Sequence, residues 1–552
     1  MAYHRKRPGR SRLRLVSVVI GAGLLVGSVA SGAGAAKLDT GVGTQAALDN
    51  PQCDPELGRV KFVYSGWVPC VKAWEDGADN GGATSPGVTA DSIKVVVRKP
   101  PQSASNESRS PIRDRATGEF ASVEDSVRDT VPIFERTYQQ WGRKLDIEVF
   151  EMSGTDEAAQ RADAVTVAEM KPFAVIDITD GADVFLSEMT NRKILAIGGM
   201  FPNRAAIEQA PYRWPVALDS AANAFLGAEF VGKVLAGKPA QYAGDESMQD
   251  TKRVFGTVRP EGTTAPDYQP ALDELVKEGA KVTTDLTYEP PLNVADLATI
   301  AEQNAATWVA RLKDSGVTSV LVLADYQVMG PVTKAATAAD YSPEWVLMGA
   351  GLVDVGVLGR TMDQEQWAHA FGVSGLWVPV ADITAGPSDV AFQWYWGPSA
   401  GVYSQAIFAD FELLYAGIHM AGPKLTPANF RAGIFSRPPT GGAAEDRVTE
   451  AGRFYGKKAR LPYDEYMTGG DVAIVWWDPD TVGPSTAATL PDAKGVYQFV
   501  DDAKRFRRGQ LPTKLPAFFD AGASTFVLPT TPPAEAQPDY PCDGCPSSGG
   551  TA

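Results

Sequence analysis

Gly87-Val88-Thr89-Ala90-Asp91-Ser92-Ile93-Lys94-Val95-Val96-Val97 is the stretch where a Gly/Asn/Pro-rich leader gives way to the first strand of a large globular body. Gly87 and Asp91 supply turn chemistry, and Ile93 with Val95, Val96 and Val97 form a β-branched run dense enough for a strand covered on both faces. From there strand-like runs alternate with helical periodicity, the pattern of a parallel sheet with crossover helices. Strands are expected over 93–97, 145–150, 173–178 and 194–197, with helices over 124–141, 156–170 and 183–190. After Tyr212-Arg213-Trp214-Pro215 the pattern restarts: helix 220–235, strand 253–258, helix 271–277, strand 281–287, helix 294–314, strand 319–323, helix 330–339 and strand 344–348. Strands 370–376 and 471–477 and helices 403–420 and 427–434 follow.

At 552 residues the chain exceeds the size at which one core stops growing, so two or more lobes are expected. Its 44% hydrophobic and 21% charged residues are those of a globular protein. Arg5, Lys6, Arg7, Arg10, Arg12 and Arg14 precede an apolar run over 15–30, the order of a secretory signal peptide, with small residues offering cleavage near position 36. Gly21, Gly23 and Gly27 interrupt that run, which is shorter than the roughly 20 apolar residues of a spanning helix. Losing the six leader cations moves the formal charge from −16 to −22, which makes nucleic acid and anionic membrane poor partners for the mature body. Cys53, Cys70, Cys542 and Cys545 all lie in the exported part and are expected as local disulfides, Cys53 with Cys70 and Cys542 with Cys545. The first would close a loop of fewer than twenty residues and contribute on the order of 3 kcal/mol.

Catalytic chemistry is poorly supplied. After the leader only His369 and His419 remain, both in apolar or helical surroundings. One G-x-S-x-G match, 397–401, would make Ser399 a nucleophile, but His419 follows too soon for the usual order of partners. Gly232 to Lys238 has P-loop spacing with Pro239 where the Mg²⁺-binding hydroxyl should stand. No His-based metal spacing and no G-x-G-x-x-G occur, so no cofactor is expected. Asp245-Glu246 with Asp250, and Asp478 with Asp480, read as solvated loops, and the aromatic run Phe392-Gln393-Trp394-Tyr395-Trp396 as cover for an apolar flank.

In the order of these pieces the chain resembles type 1 periplasmic-binding-fold solute receptors of ABC importers, the branched-chain amino acid receptor family. The resemblance rests on Gly87-Val88-Thr89 before the first strand, Leu195 to Met200, Tyr212 to Pro215, Ser319 to Tyr326, Leu347-Met348-Gly349-Ala350-Gly351 and Asp471 to Asp478, spanning roughly 87 to 500. It implies two doubly wound parallel-sheet lobes joined by a three-strand hinge, with ligand captured by closure. The implied boundaries are a signal peptide 1–36, an extension 37–86, a first lobe from 87–216 and 350–445, a second lobe from 217–349 and 446–528, and a disordered tail 529–552.

Loops beyond the carboxyl ends of the strands then become the ligand candidates: Thr179 and Asp180, Gly198, Gly199 and Met200, Asp325 and Tyr326, and Gly351 with Asp354. Arg98, with Lys99 beside it at the end of the opening strand, is the candidate for a ligand carboxylate. The family's hydroxyl is missing after the fourth strand and its acid is missing from Gly349-Ala350-Gly351, while Met200, Phe201 and Tyr326 suit a more apolar ligand. The resulting expectation is a monomeric, extracytoplasmic solute-binding protein with an ABC permease as partner, taking an amino-acid-like solute or a more apolar carboxylate. The alternatives are a secreted sensor or scaffold of the same fold without a transporter, and a secreted hydrolase using Ser399, Asp325 or Asp354.

Overall fold

The computed structural model describes residues 38–63, 68–101, 113–114, 121–179, 183–199, 208–209, 211–216, 219–291, 296–376, 387–397, 402–403, 405–442, 461, 464–466, 469–483, 493–520 and 540–548. The expected signal peptide, Asp180, Met200 and Ser399 lie outside them.

Strand β1 (Ser92–Lys99) starts from a turn in which Lys94 N donates to Gly87 O at 2.7 Å. Gly87 has φ +73°, and a Cβ there would stand 2.1 Å from Phe173 N, so only glycine opens the sheet at this point. The chain continues through α1 (Val123–Glu135), β2 (Lys144–Glu151), α2 (Glu157–Glu169), β3 (Ala174–Asp177), α3 (Asp183–Asn191), β4 (Leu195–Gly198) and β5 (Arg213–Trp214). These strands form an all-parallel sheet in the order β2-β1-β3-β4-β5. Period-two alternation divides β1 as expected: Ile93, Val95 and Val97 enter one core, and Val96 enters the core with Ala164 and Val167 of α2 and Phe185 of α3.

The second unit repeats the plan. α4 (Ser220–Phe230) leads to β6 (Phe255–Pro260), α5 (Gln269–Lys277), β7 (Val282–Tyr288), α6 (Leu297–Asp314), β8 (Ser319–Val322), α7 (Tyr326–Ala338), β9 (Glu344–Met348) and β10 (Ala370–Ser374). Its parallel order β7-β6-β8-β9-β10 matches that of the first sheet, and β11 (Val472–Gly483) and β12 (Ala493–Phe499) extend it antiparallel. Two sheets of this order are the doubly wound α/β class. The intervening helices α8 (Pro387–Trp396), α9 (Gln405–Ala421) and α10 (Pro427–Phe435) contribute to the core of the first sheet, with Phe392, Phe411, Leu414 and Phe430 fully buried.

Three expectations are corrected, on the second crossing, the start of α7 and the tail. β10 pairs with β9, so the chain stays with the second sheet to Ser374 and does not return to the first lobe at 350. α7 begins at Tyr326 rather than 330, because Asp325 caps it by accepting from Gln327 N at 2.9 Å and the helix tolerates Pro331 in its first turns. Gly232 lies in a π-helical turn, Val231–Leu235, that prolongs α4 to the end of the expected helix 220–235. The tail is ordered at least over 540–548. There Tyr540 Oη donates to Asp54 Oδ2 at 2.5 Å, Trp394 Nε1 donates to Tyr540 O at 2.7 Å, and Ser547 Oγ donates to Trp394 O at 2.6 Å.

Both disulfides are local, with Cα–Cα distances of 5.5 Å for Cys53–Cys70 and 5.4 Å for Cys542–Cys545. The N-terminal loop closed by the first is part of the first core: Phe62 is fully buried, its ring 5.6 Å from Phe134 and 5.9 Å from Trp394. The aromatic run thus covers a flank of the first lobe, where Trp394 meets Phe62, Tyr540 and Ser547. Phe62→Ala is expected to cost about 3 kcal/mol or more in denaturant unfolding at unchanged m; a loss below about 1 kcal/mol would show the extension to be peripheral.

Candidate functional site

The chain passes between the sheets three times: after Trp214 of β5, after Ser374 of β10, and back before Val472 of β11. Because β11 runs antiparallel and Ala473 pairs with Ser374, its start lies at the edge where the parallel strands end. All three crossings therefore border the carboxyl ends of the sheets, the side on which open α/β sheets hold ligands.

One side chain sits among all three. Asn223, in the first turn of α4, is 1% exposed and donates from Nδ2 to Gly349 O at 3.1 Å. A Cβ on Gly375 would lie 2.2 Å from its Nδ2, and one on Gly469 would lie 3.2 Å from its Oδ1. That Oδ1 has no hydrogen-bond partner among the described residues. Beside it Arg505 donates from Nη1 to Leu376 O at 2.6 Å, from Nη2 to Gly375 O at 3.1 Å and from Nε to Asp471 Oδ1 at 2.8 Å. Asp471 also accepts from Gly442 N at 2.8 Å. A buried ion pair thereby ties the second crossing to the third.

At the edge of the first sheet Arg98 is not free to meet a ligand. Lying on the Val96 face of β1, its guanidinium donates to Asp163 Oδ2 at 2.9 Å, Asp177 Oδ2 at 2.9 Å and Thr179 Oγ1 at 3.0 Å, and it stacks 4.4 Å over Phe185. Lys99 pairs with Glu124 at 2.9 Å and Glu151 at 3.5 Å. The expectation that these cations wait for a carboxylate is corrected by partners already in place. Thr179 is buried, donating to Asp177 Oδ1 at 2.7 Å. Gly198 (φ +112°) crosses Asp177 O, and Gly199 (φ +96°) lies under Arg213, which donates to Gly198 O at 3.0 Å. Arg98, Thr179, Gly198 and Gly199 are thus brought together as one framework. The sequence reading missed its other members, Asp163, Asp177 and Arg213, and also Asp410 of α9. Asp410 is 2% exposed, its Oδ1 without a partner among the described residues and its carboxyl pushed well up by burial and by Asp177.

At the second sheet Asp325, Tyr326 and Gly351 meet. Tyr326 N donates to Gly351 O at 3.0 Å, and Gly351 (φ +67°) leaves room for Ala324 O. Burial pushes the Asp325 carboxyl up to about 6 against the Gln327 N–H bond that lowers it. Asp354 stands in a separate cluster, accepting from Ser374 Oγ at 2.6 Å, and burial raises it to about 6 although that bond and Arg505 pull it down.

None of these residues lines the pocket of about 520 Å³ that opens where β6 ends. Its walls are Phe225, Arg259, Tyr268, Pro266, Leu461 and Arg508, with other residues of the 261–270 loop and α5. The loop after β6 and the loop after β8 flank the point where the strand order reverses. The volume is that of a small organic molecule. In sequence, Arg508 looks like one cation of a basic surface turn, Arg507-Arg508-Gly509, and carries no mark of a site.

The histidines serve the backbone. His419 accepts at Nδ1 from Gln139 N at 2.9 Å and meets Pro69 O at Nε2 at 3.0 Å, and burial lowers it to about 4. His369 Nδ1 lies 2.9 Å from Tyr242 O. Among the described residues no group of three or more His, Cys, Asp or Glu side chains could hold a metal ion.

No protein-family model matches the sequence, and no curated protein matches it. Solved structures similar to the chain include a solute-binding protein of an ABC transporter from Rhodopseudomonas palustris BisB5 in complex with 3,4-dihydroxybenzoic acid (10% identity, TM-score 0.46, 77% of this chain and 99% of that one). Others are the leucine-, isoleucine-, valine-, threonine- and alanine-binding protein of Brucella ovis in a closed conformation (12%, 0.46, 80% and 98%) and a type 1 periplasmic binding protein from Bordetella pertussis Tohama I (12%, 0.41, 73% and 100%).

Two measurements check this geometry. Gly375→Ala would drive a methyl into Asn223 and is expected to cost about 1–3 kcal/mol, with Asn223→Ala relieving most of it; strictly additive losses would place the contact elsewhere. Asp354 is raised, so between about pH 4 and 6 the folded state keeps a proton that the unfolded chain has shed, and its contribution to stability falls as pH rises through that window. Asp354→Asn should therefore be the more stable form at pH 7.5, by up to about 3 kcal/mol, with the advantage gone near pH 4. An advantage independent of pH would contradict the assignment.

Proposed function

We propose that the chain is an extracytoplasmic solute-binding protein that captures a small organic solute between its two lobes and presents the closed form to an ABC-type importer. The observation that carries this reading is the convergence of three crossings at the carboxyl ends of two doubly wound sheets, around Asn223 and the Arg505–Asp471 pair. Three connections that converge at one edge suit rotation of one lobe on the other, the construction of a hinge-closing receptor. The pocket where β6 ends supplies a concave surface on the second lobe. The strand ends at Thr179 and at Gly198 and Gly199 border the opposing surface, and Asp325, Tyr326 and Gly351 complete the second.

Arg98 in this reading is a framework residue. Ligand acts by binding the closed arrangement better than the open one, so the populations shift by the difference in affinity. The basic, apolar leader supplies export, and no helix among the described residues is long and apolar enough to cross a membrane. The permease partner and the monomeric state belong to the same proposal. The similar solved structures include a solute-binding protein in complex with an aromatic acid and a binding protein for amino acids.

Denaturing the purified mature protein and identifying what it releases by mass spectrometry tests the reading. One small organic species in near-stoichiometric amount, which shifts the melting temperature when added back, is the expected result. No released solute, together with no response to a broad metabolite panel, would contradict it.

A further inference from the structure

We infer that the pocket at the end of β6 takes a carboxylate-bearing solute with an apolar body, and that Arg508 is the residue that holds the carboxylate. The inference rests on the solute-binding reading and names the ligand class of the second-lobe surface.

Arg508 is positioned from three sides before any ligand arrives. Its guanidinium lies 4.7 Å over the ring of Phe225, and its Nη2 donates to Glu274 Oε1 at 2.6 Å. The backbone beside it is pinned to α4, because Gly509 N donates to both carboxylate oxygens of Glu229, at 2.9 and 3.0 Å. Glu229 and Glu274 are themselves buried, so neither support is free to swing away. One edge of the guanidinium is thereby fixed, while Nη1 and Nε have no partner among the described residues. Nη2 keeps a second N–H, which with that of Nη1 or of Nε forms an edge of two donors that is held in place, is 40% exposed and matches the two oxygens of a carboxylate.

The other charges of the pocket do not compete for that role. Arg259 is occupied by Asp285, to which it donates from Nε and Nη2 at 2.8 Å each, and Lys277 is 67% exposed and paired with Glu274. Glu261 and Asp273 are exposed on the rim, where water screens them, and Asp267 accepts from Gln269 N at 3.2 Å. Phe225 and Leu461 form a small apolar cluster with Ala222, and Pro266 and Tyr268 add to the apolar wall, which suits the body of the solute. Phe225 follows the first crossing and Leu461 belongs to the third, so filling the pocket joins segments whose relative position the hinge sets.

The test is calorimetric titration of the protein, freed of bound solute by unfolding and refolding, with benzoate and cyclohexanecarboxylate against benzamide and cyclohexanecarboxamide. The acids are expected to bind at least thirtyfold more tightly than the amides. Arg508→Gln should lose tenfold to a hundredfold for the acids and nothing for the amides, and Phe225→Leu, which keeps the volume and removes the ring, should lose severalfold with the same selectivity. Equal binding of acids and amides, or an Arg508→Gln variant that binds the acids like the parent, would overturn the role of Arg508 while leaving the capture of a solute intact. If neither acid binds the parent protein, the carboxylate class falls, and the released-solute experiment separately decides whether a solute is bound at all.

Discussion

Three stretches of chain must pass side by side through one place, and the packing around Asn223 is what allows it. A buried amide fills the space left by Gly349, Gly375 and Gly469, each from a different part of the chain. The three positions tolerate no Cβ without displacement, and two of them, Gly349 at φ +68° and Gly469 at φ +138°, also use backbone that other residues adopt with strain. Arg505 and Asp471 then satisfy the carbonyls and the N–H that such a bare junction exposes. Removing either charge would leave its partner buried and uncompensated, a loss of several kcal/mol, whereas the intact pair need contribute little net stability. The pair therefore serves to specify the junction more than to strengthen it.

The two lobes divide the remaining work. The first spends its charged residues on itself: Arg98 and Arg213 knit the ends of β1, β3, β4 and β5 through Asp163, Asp177 and the Gly198 carbonyl. On the flank of that lobe the segments of Asp54 and Tyr540 meet through a hydrogen bond. The second lobe keeps open space at its strand-order reversal, and Arg508 there retains donors that no described residue pairs.

Much of this was legible in the sequence, for a physical reason. β-branched runs at 93–97, 173–178, 319–323 and 344–348 alternate with Ala-rich helical periods, and in a sheet covered on both faces no other arrangement buries them. The strands found there end within one or two residues of the expected limits. Short-range chemistry was read well, including the local pairing of Cys53 with Cys70 and of Cys542 with Cys545. Long-range chemistry was not. Arg98 looks like a free cation until Asp163, 65 residues on, and Asp177, 79 residues on, are folded against it. The second crossing was placed at Leu347–Gly351 because the family resemblance puts it there, but only pairing of β10 with β9 shows that the chain had one more strand to lay down. Likewise Phe225, Leu461 and Arg508 are unremarkable apart and become a pocket only when three distant segments converge.

The central claim is that the lobes close on each other about this junction. Spin labels at cysteines replacing Val165 on α2 and Val276 on α5, which are 48% and 64% exposed, would report the separation directly by pulsed dipolar spectroscopy. On adding back the solute released from the native protein, the account predicts that a broad or longer distance distribution moves to a shorter, narrower one, and that Gly375→Ala impairs the shift. A single distribution, unchanged by solute, would show two lobes fixed in one arrangement and would contradict it.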